Sequence, residues 1–231
     1  MKYKEVVKGI FKERPNRFIA KVEINGVEET VHVKNTGRCK ELLLENSVVY
    51  LFVSNNPSRK TKYDLIAVEK QTENGTILIN MDSQAPNDMV SEWLPKSGLF
   101  SENAFFKREV TFGKSRFDFY VEDADKKAFI EVKGVTLENN GVALFPDAPT
   151  ERGVKHINEL CTCVENGYSA YIVFVIQMSG VKLFKPNDTT HKAFGDALRK
   201  AEKSGVKILA YDSKVEKDTV IINNPVKIEL L

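Results

Sequence analysis

The sequence predicts an α+β chain, with a small all-β unit followed by a mixed α/β unit. Over residues 1–80, apolar and polar residues alternate in short runs broken by turn residues. From Phe105 onward, apolar runs alternate with amphipathic stretches of helical length. Between the two lies a polar stretch containing Pro86. These observations divide the chain into a barrel-like unit over 1–80, a linker with a short helix over 81–104, and an α/β unit over 105–231.

In the first unit, residues 17–24 alternate apolar and polar side chains. Asn25-Gly26 follows as a hairpin turn, and 27–33 returns as the partner strand. Residues 48–53 form a continuous apolar run, as a buried strand does. Residues 65–68 and 76–79 complete five strands, and 4–11 can extend the first. A helical turn or two is expected over 38–44. Five short strands and one helix suggest a closed barrel of the OB-fold type, although the helix then precedes the third strand rather than following it. Tyr50 and Phe52 share a strand face, where they either pack in the core or stack bases.

Residues 87–94 read as a short helix carrying the single Trp. Strands are expected at 106–112, 115–122 and 128–135. A helix over 150–166 follows Pro149 and stops before Gly167. A buried strand at 171–176, a helix over 189–204 ended by Gly205, and a strand at 206–211 complete a mixed sheet flanked by helices.

Composition fits a globular protein that does not enter a membrane: 42% of the 231 residues are hydrophobic and 29% charged. No apolar run is long enough to span a bilayer, and Met1-Lys2-Tyr3-Lys4-Glu5 leads into no signal-peptide core. Cys161 and Cys163 lack zinc-knuckle spacing, so reduced, buried thiols in a cytoplasmic protein are expected. The net charge is +2, distributed as +5 over residues 1–70 and −3 over the rest. That split suits a polyanion-binding unit joined to a metal-binding one, and equally an uneven surface without function.

The chemistry concentrates in Ser115-Arg116-Phe117-Asp118 and Glu131-Val132-Lys133. An Asp followed within one hairpin by Glu-x-Lys suits a divalent-metal phosphodiesterase. Side chains alternate on a strand, so Glu131 and Lys133 share a face. If Asp118 lies opposite either of them, the carboxylates come within about 5–8 Å of each other. A one-residue slip would send Glu131 to the other face. Two carboxylates so close repel unless a cation lies between them, and oxygen-only ligands favour Mg²⁺ or Mn²⁺. Such an ion polarises phosphoryl oxygens, while Lys133 can steady the developing charge. On an exposed hairpin face the same residues would instead make a surface ion pair worth about 0–1 kcal/mol.

Glu109 lies on the preceding strand, where it is either a third acid or a solvated charge. Arg152, Lys155, His156 and Glu159 share a helix face, and Asp147 or Thr150 can cap that helix. A basic stripe at a helix start can face phosphate, and a plain amphipathic helix has the same spacing. The segments Ser54–Lys62, with Arg59 and Lys60, and Asn35–Arg38 suit backbone-phosphate contacts or plain solvated turns.

Assembled in order, these fragments carry a family resemblance. They are Arg14-x-Asn16-Arg17-Phe18, Asn35-Thr36-Gly37-Arg38 with Glu41-Leu42-Leu43, and Ser54-x-Asn56-Pro57-x-Arg59-Lys60-Thr61. Further on come Arg108-Glu109-Val110, Ser115-Arg116-x-Asp118-Phe119 and Glu131-Val132-Lys133-x-Val135-Thr136-Leu137. Last is Phe145-Pro146-Asp147-Ala148-x-Thr150-x-Arg152-Gly153-x-Lys155-His156. The chain resembles the sugar fermentation stimulation protein A family of bacteria and archaea. The resemblance implies an OB-fold joined to a restriction-endonuclease-like domain of the PD-(D/E)xK type, sequence-nonspecific DNA binding, and a link to sugar-utilisation genes. It makes Asp118, Glu131 and Lys133 the nuclease triad, with Glu109 upstream. Cys39 stands where Met is expected, Gly134 where Asn is expected, and Phe117 where Pro usually precedes the Asp.

The joint reading is a Mg²⁺- or Mn²⁺-dependent nuclease-fold protein that binds DNA through Arg17, Arg38, Arg59, Lys60, Arg116, Arg152, Lys155 and His156. Its alternatives are a DNA-binding regulator that keeps the scaffold without cutting, and a small-molecule phosphodiesterase.

Overall fold

A computed structural model of the chain describes all residues except Thr36 and Asn74. Thr36, part of the Asn35–Arg38 fragment, therefore lies outside the described residues.

Six strands build the first unit: β1 (Val6–Asn16), β2 (Ile19–Ile24), β3 (Val27–Val33), β4 (Val48–Val53), β5 (Tyr63–Thr72) and β6 (Gly75–Asn80). Asn25 and Gly26 have φ of 51° and 81°, as a two-residue hairpin turn with both central residues left-handed requires. The sheet runs β3-β2-β1-β4-β5-β6 and closes where β3 pairs in parallel with β5 through His32↔Asp64 and Val33↔Leu65. The closed order is that of an OB-fold. Counting β1 as a strand of its own puts the turn segment 38–44 between β3 and β4, which removes the apparent conflict in element order.

That segment is not a helix. It is a set of turns in which Cys39 has φ 45° and Leu43 N–H bonds Cys39 O at 3.0 Å. The left-handed backbone at Cys39 breaks any helix there, and Arg14 Nη1 ties down the segment's start through the carbonyls of Gly37 and Arg38 at 2.9 and 2.8 Å.

The second unit starts with α1 (Ala85–Trp93), inside the stretch expected to link the two. Its main sheet has β7 (Phe105–Phe112), β8 (Ser115–Asp123), β9 (Lys126–Val135), β12 (Ser169–Ile176), β14 (Lys207–Val215) and β15 (Val220–Pro225), in the order β15-β14-β12-β9-β8-β7. A second, four-stranded sheet joins β10 (Leu137–Asn139), β11 (Val142–Phe145), β13 (Leu183–Pro186) and β16 (Lys227–Ile228). Two helices, α2 (Glu151–Glu165) and α3 (Asp188–Lys203), complete the unit.

Strand parity makes three layers. Ile172, Phe174 and Ile176 of β12 pack with Ile157 and Leu160 of α2 and Phe194 and Leu198 of α3. Tyr171, Val173 and Val175 pack with Met89 and Val90 of α1. Both clusters run on into the barrel, through Leu51 and Leu65 on one side and Ile66 on the other. The first residues also bind the second unit, since Lys2 bridges Thr219 and Tyr3 N–H bonds Asp218 O at 2.8 Å. Tyr50 and Phe52 are half-buried, Phe52 with its ring 6.1 Å from Tyr3.

All three cysteines are free and buried, and burial pushes the Cys39 and Cys163 thiols up to about 12. No helix among the described residues is long and apolar enough to cross a membrane.

Candidate active site

The site lies where β8 and β9 part company. Their antiparallel ladder runs from Asp123↔Lys126 to Phe119↔Ile130 and stops there. The next step would set Asp118 opposite Glu131, one of the two arrangements expected from the sequence. Beyond it β8 stays with β7 alone, through Val110↔Phe117 and Thr111↔Arg116. Phe117 packs in the α2-side cluster and Phe119 in the α1-side cluster, although residues two apart on a regular strand share a face. The strand is therefore irregular at Asp118.

Asp118 fills the fork. Its Oδ2 accepts from the Val132 N–H at 2.7 Å, and its Oδ1 accepts from Asn87 Nδ2 at 2.8 Å. The side chain thus replaces the missing ladder and ties β9 to α1. Asn87 is the residue that sequence reasoning missed. It sits in the stretch expected to be a linker, and nothing in its spacing marks it.

Glu131 faces α2, as its parity with Phe129 requires, and is 3% exposed. Its Oε1 takes two donors, Lys133 Nζ at 2.6 Å and His156 Nδ1. Its Oε2 is buried and has no hydrogen-bond partner. Arg152 Nε approaches His156 Nε2 at 3.4 Å, so a donor on that side leaves the ring proton on Nδ1.

Electrostatics separate the two carboxyls. Burial pushes Asp118 above the usual carboxylate range, and the Glu131 charge adds to it, against the Val132 and Asn87 hydrogen bonds and the Lys133 charge. Burial pushes Glu131 up as well, but His156 and Lys133 outweigh it and hold that carboxyl below its ordinary value.

The remaining expected residues divide. Glu109 does not join the carboxylates: it has φ 56°, is exposed, and its Oε2 stands 3.7 Å from Arg116 Nη1. The left-handed backbone falls where the β7–β8 ladder passes from Arg108↔Phe119 to Val110↔Phe117. His156 is 5% exposed and bound to Glu131, so it does not face a nucleic acid. Arg59 is held by Asp64, with Nη1 at 2.8 Å from Oδ2 and Nη2 on Oδ1, while His32 Nδ1 meets the same carboxyl at 2.9 Å. It is therefore a structural cation rather than a free phosphate donor. Arg116 and Arg152 are exposed, as is Lys155, whose Nζ bonds Lys114 O at 2.6 Å. Arg17, Arg38 and Lys60 are exposed on the barrel.

Thr150 caps α2 by accepting from Gly153 N–H at 3.0 Å, at the start of the helix that carries His156 six residues on. Gly134 has a reason of its own. A Cβ there would lie 2.5 Å from Gln177 Oε1 and 2.7 Å from Pro86 Cγ, so no side chain fits beside Lys133.

The donor set fits a hard divalent cation on this chain's own evidence. The carboxyls of Asp118 and Glu131 flank the end of the β8–β9 ladder, Glu131 with a buried, unpartnered oxygen and Asp118 raised by burial and then by the Glu131 charge. Among the described residues no group of three Asp, Glu, His or Cys is placed to hold a metal.

Comparison with known proteins agrees with this architecture. Residues 13–79 match the family described as the SfsA N-terminal OB domain, and residues 84–219 match the sugar fermentation stimulation protein RE domain. A sugar fermentation stimulation protein homolog of Ruminiclostridium cellulolyticum is 58% identical over 230 residues, covering 100% of both chains. That of Clostridium beijerinckii is 55% identical over 230 residues, again covering 100% of both. Among solved structures, SfsA of Pyrococcus furiosus in complex with Ca²⁺ superposes with a TM-score of 0.84 at 27% identity, over 99% of this chain and 98% of that one. With an OB barrel, an RE domain and full-length relatives all in place, the chain belongs to the sugar fermentation stimulation protein family.

Proposed function

We propose that this protein binds DNA and hydrolyses its phosphodiester bonds with Mg²⁺ or Mn²⁺ at the β8–β9 fork. The observation that carries the reading is the buried, unpartnered Oε2 of Glu131, a carboxyl whose charge acts on Asp118 just past the end of the β8–β9 ladder. The Ca²⁺ complex of the Pyrococcus furiosus relative supports a divalent ion in this family. Asp118 and Glu131 would hold it, water and phosphate oxygens filling the other positions. When bound, the ion supplies Lewis-acid activation of the phosphoryl group.

The chain's own residues do the rest. Lys133, whose Nζ is 2.6 Å from Glu131 Oε1, keeps an ammonium where charge builds on the phosphate. His156 fixes the orientation of Glu131 from behind, and Asn87 does the same for Asp118. Arg116, Arg152 and Lys155 are exposed cations close in sequence to these groups, suited to phosphate contacts. The barrel adds Arg17, Arg38 and Lys60.

One observation favours a second reading, a DNA-binding regulator that keeps the scaffold without cutting. Lys133 already neutralises Glu131 and His156 hydrogen-bonds the same oxygen, and Glu109 is turned to Arg116.

Labelled DNA incubated with Mg²⁺ or Mn²⁺ decides between them. Cutting that needs metal and falls at least about 100-fold in Asp118→Ala and Lys133→Ala is expected. Metal-dependent cutting that survives both substitutions refutes the site assignment. Binding without cutting supports the regulator.

A further inference from the structure

The β1–β2 turn and the segment after β3 form one preorganised surface. Arg14 staples them: besides Gly37 O and Arg38 O, its Nη2 donates to Arg17 O and Asn35 O, both at 2.7 Å. Asn16 Oδ1 accepts from Phe18 N–H at 2.9 Å and Ile19 N–H at 3.1 Å, which locks the turn that presents Phe18. Between the two segments is a cleft of about 360 Å³ lined by Arg14, Asn16, Arg17, Arg38, Lys40 and the backbone of Gly37, over Leu43. Four of these side chains are cationic and none is acidic. Asp147 approaches Gly37 from the neighbouring cleft.

Arg14 is spent on backbone carbonyls. Arg17, Arg38 and Lys40 are exposed, and no ion pair involves them among the described residues. Beside the cleft the Phe18 ring is 45% exposed, with the Arg17 guanidinium carbon 4.7 Å from its centroid. Nothing in the core needs an aromatic ring there.

We infer that this surface binds an unpaired nucleic-acid strand, with a phosphate in the Arg17–Arg38–Lys40 cleft and a base stacked on Phe18. A ring and a phosphate cleft side by side match the repeat of a nucleotide, whose base and phosphate are adjacent. A duplex keeps its bases stacked inside and could use only the cations. The locked turn means that little side-chain or backbone freedom is lost on binding. The inference rests on the DNA-binding reading above and assigns it a strand type and a contact.

Fluorescence anisotropy tests it on the full chain, with labelled unpaired DNA of about 12 nucleotides, the same sequence as duplex, and its RNA counterpart. Wild type should prefer the unpaired strands. Phe18→Ala should weaken that binding by about 5- to 150-fold and barely move the duplex. Phe18→Trp should retain it, and Arg38→Ala should lower the salt slope by about 1. The RNA arm separates a DNA-specific site from one that accepts any unpaired strand, and either result sustains the inference. Duplex binding at least as tight as unpaired, or equal effects of Phe18→Ala on both, overturns it while the DNA-binding reading stands. Polyglutamate competing as well as the oligonucleotide also overturns it, in favour of an acidic protein partner. Wild type that binds no nucleic acid at low salt removes both readings.

Discussion

His156 directs its Nδ1 at one oxygen of Glu131 and leaves the other without a partner. The histidine therefore sets which carboxylate oxygen faces away from α2, and it does so from a buried position that no substrate reaches. Removing the ring should free the carboxylate to rotate. His156→Ala is expected to lower Mn²⁺ affinity by about 10- to 100-fold, measured by calorimetry. His156→Asn, which keeps a donor near the same place, should recover part of the loss. Equal Mn²⁺ affinity in all three proteins would show that the contact is only structural.

Arg59 gives the opposite kind of prediction. It was expected to meet phosphate, and it is instead locked on the buried Asp64. Arg59→Ala should cost about 1–3 kcal/mol of stability, because the buried Asp64 keeps only the His32 ring as a side-chain partner. DNA affinity should hardly change. Urea unfolding and anisotropy on the same variant test both halves, and a large loss of affinity at unchanged stability would restore the phosphate role.

Lys70 and Glu138 join the barrel to the small sheet, with Nζ 2.6 Å from Oε2 and 2.6 Å from the Glu138 carbonyl. Burial pushes Glu138 up, but Lys70 and the Gly141 N–H outweigh it and hold its carboxyl below the ordinary 4.5. A depressed folded-state value means that the unfolded chain binds more protons in this range. The stabilisation is then full above about pH 4.5 and is lost as pH falls through the lower folded value. Lys70→Met should flatten that part of the stability profile, as urea midpoints across pH 3 to 6 (about one Glu titration range) would reveal. An unchanged profile would mean that other carboxyls dominate it.

Much of this arrangement was legible in the sequence, and the failures have physical causes. The β7–β8–β9 meander was readable because each strand holds eight or more residues rich in aromatic and β-branched side chains, set apart by short polar turns. The second sheet was not, since its strands are two to four residues long and carry too little periodicity. The 38–44 helix was misjudged because local propensity cannot reveal the left-handed backbone at Cys39 or the Arg14 hydrogen bonds that tie down the segment's start from far back in the chain. The register that sets Asp118 one step from Glu131 was readable because parity on a hairpin is a local property. Asn87 was missed and His156 misread for the same reason: which way a helix turns is settled by the sheet beneath it. Spacing alone put His156 with Arg152 and Lys155, and burial separated it from them.

The junction between the two halves has a consequence for anyone dividing the protein. Lys34, at the end of β3, bonds the fully buried Asp82 at 2.6 Å, and Ser83 is held by the Lys34 carbonyl through both N–H and Oγ. Two residues later α1 begins, and its Asn87 holds Asp118. Cutting the chain near residue 80 would strand the negative charge of Asp82 in the interior, three residues before the first turn of the helix that steadies the fork. A catalytic half prepared alone would carry that injury directly to its carboxylates. Activity lost on truncation would then report a broken hinge-pin rather than a missing binding surface.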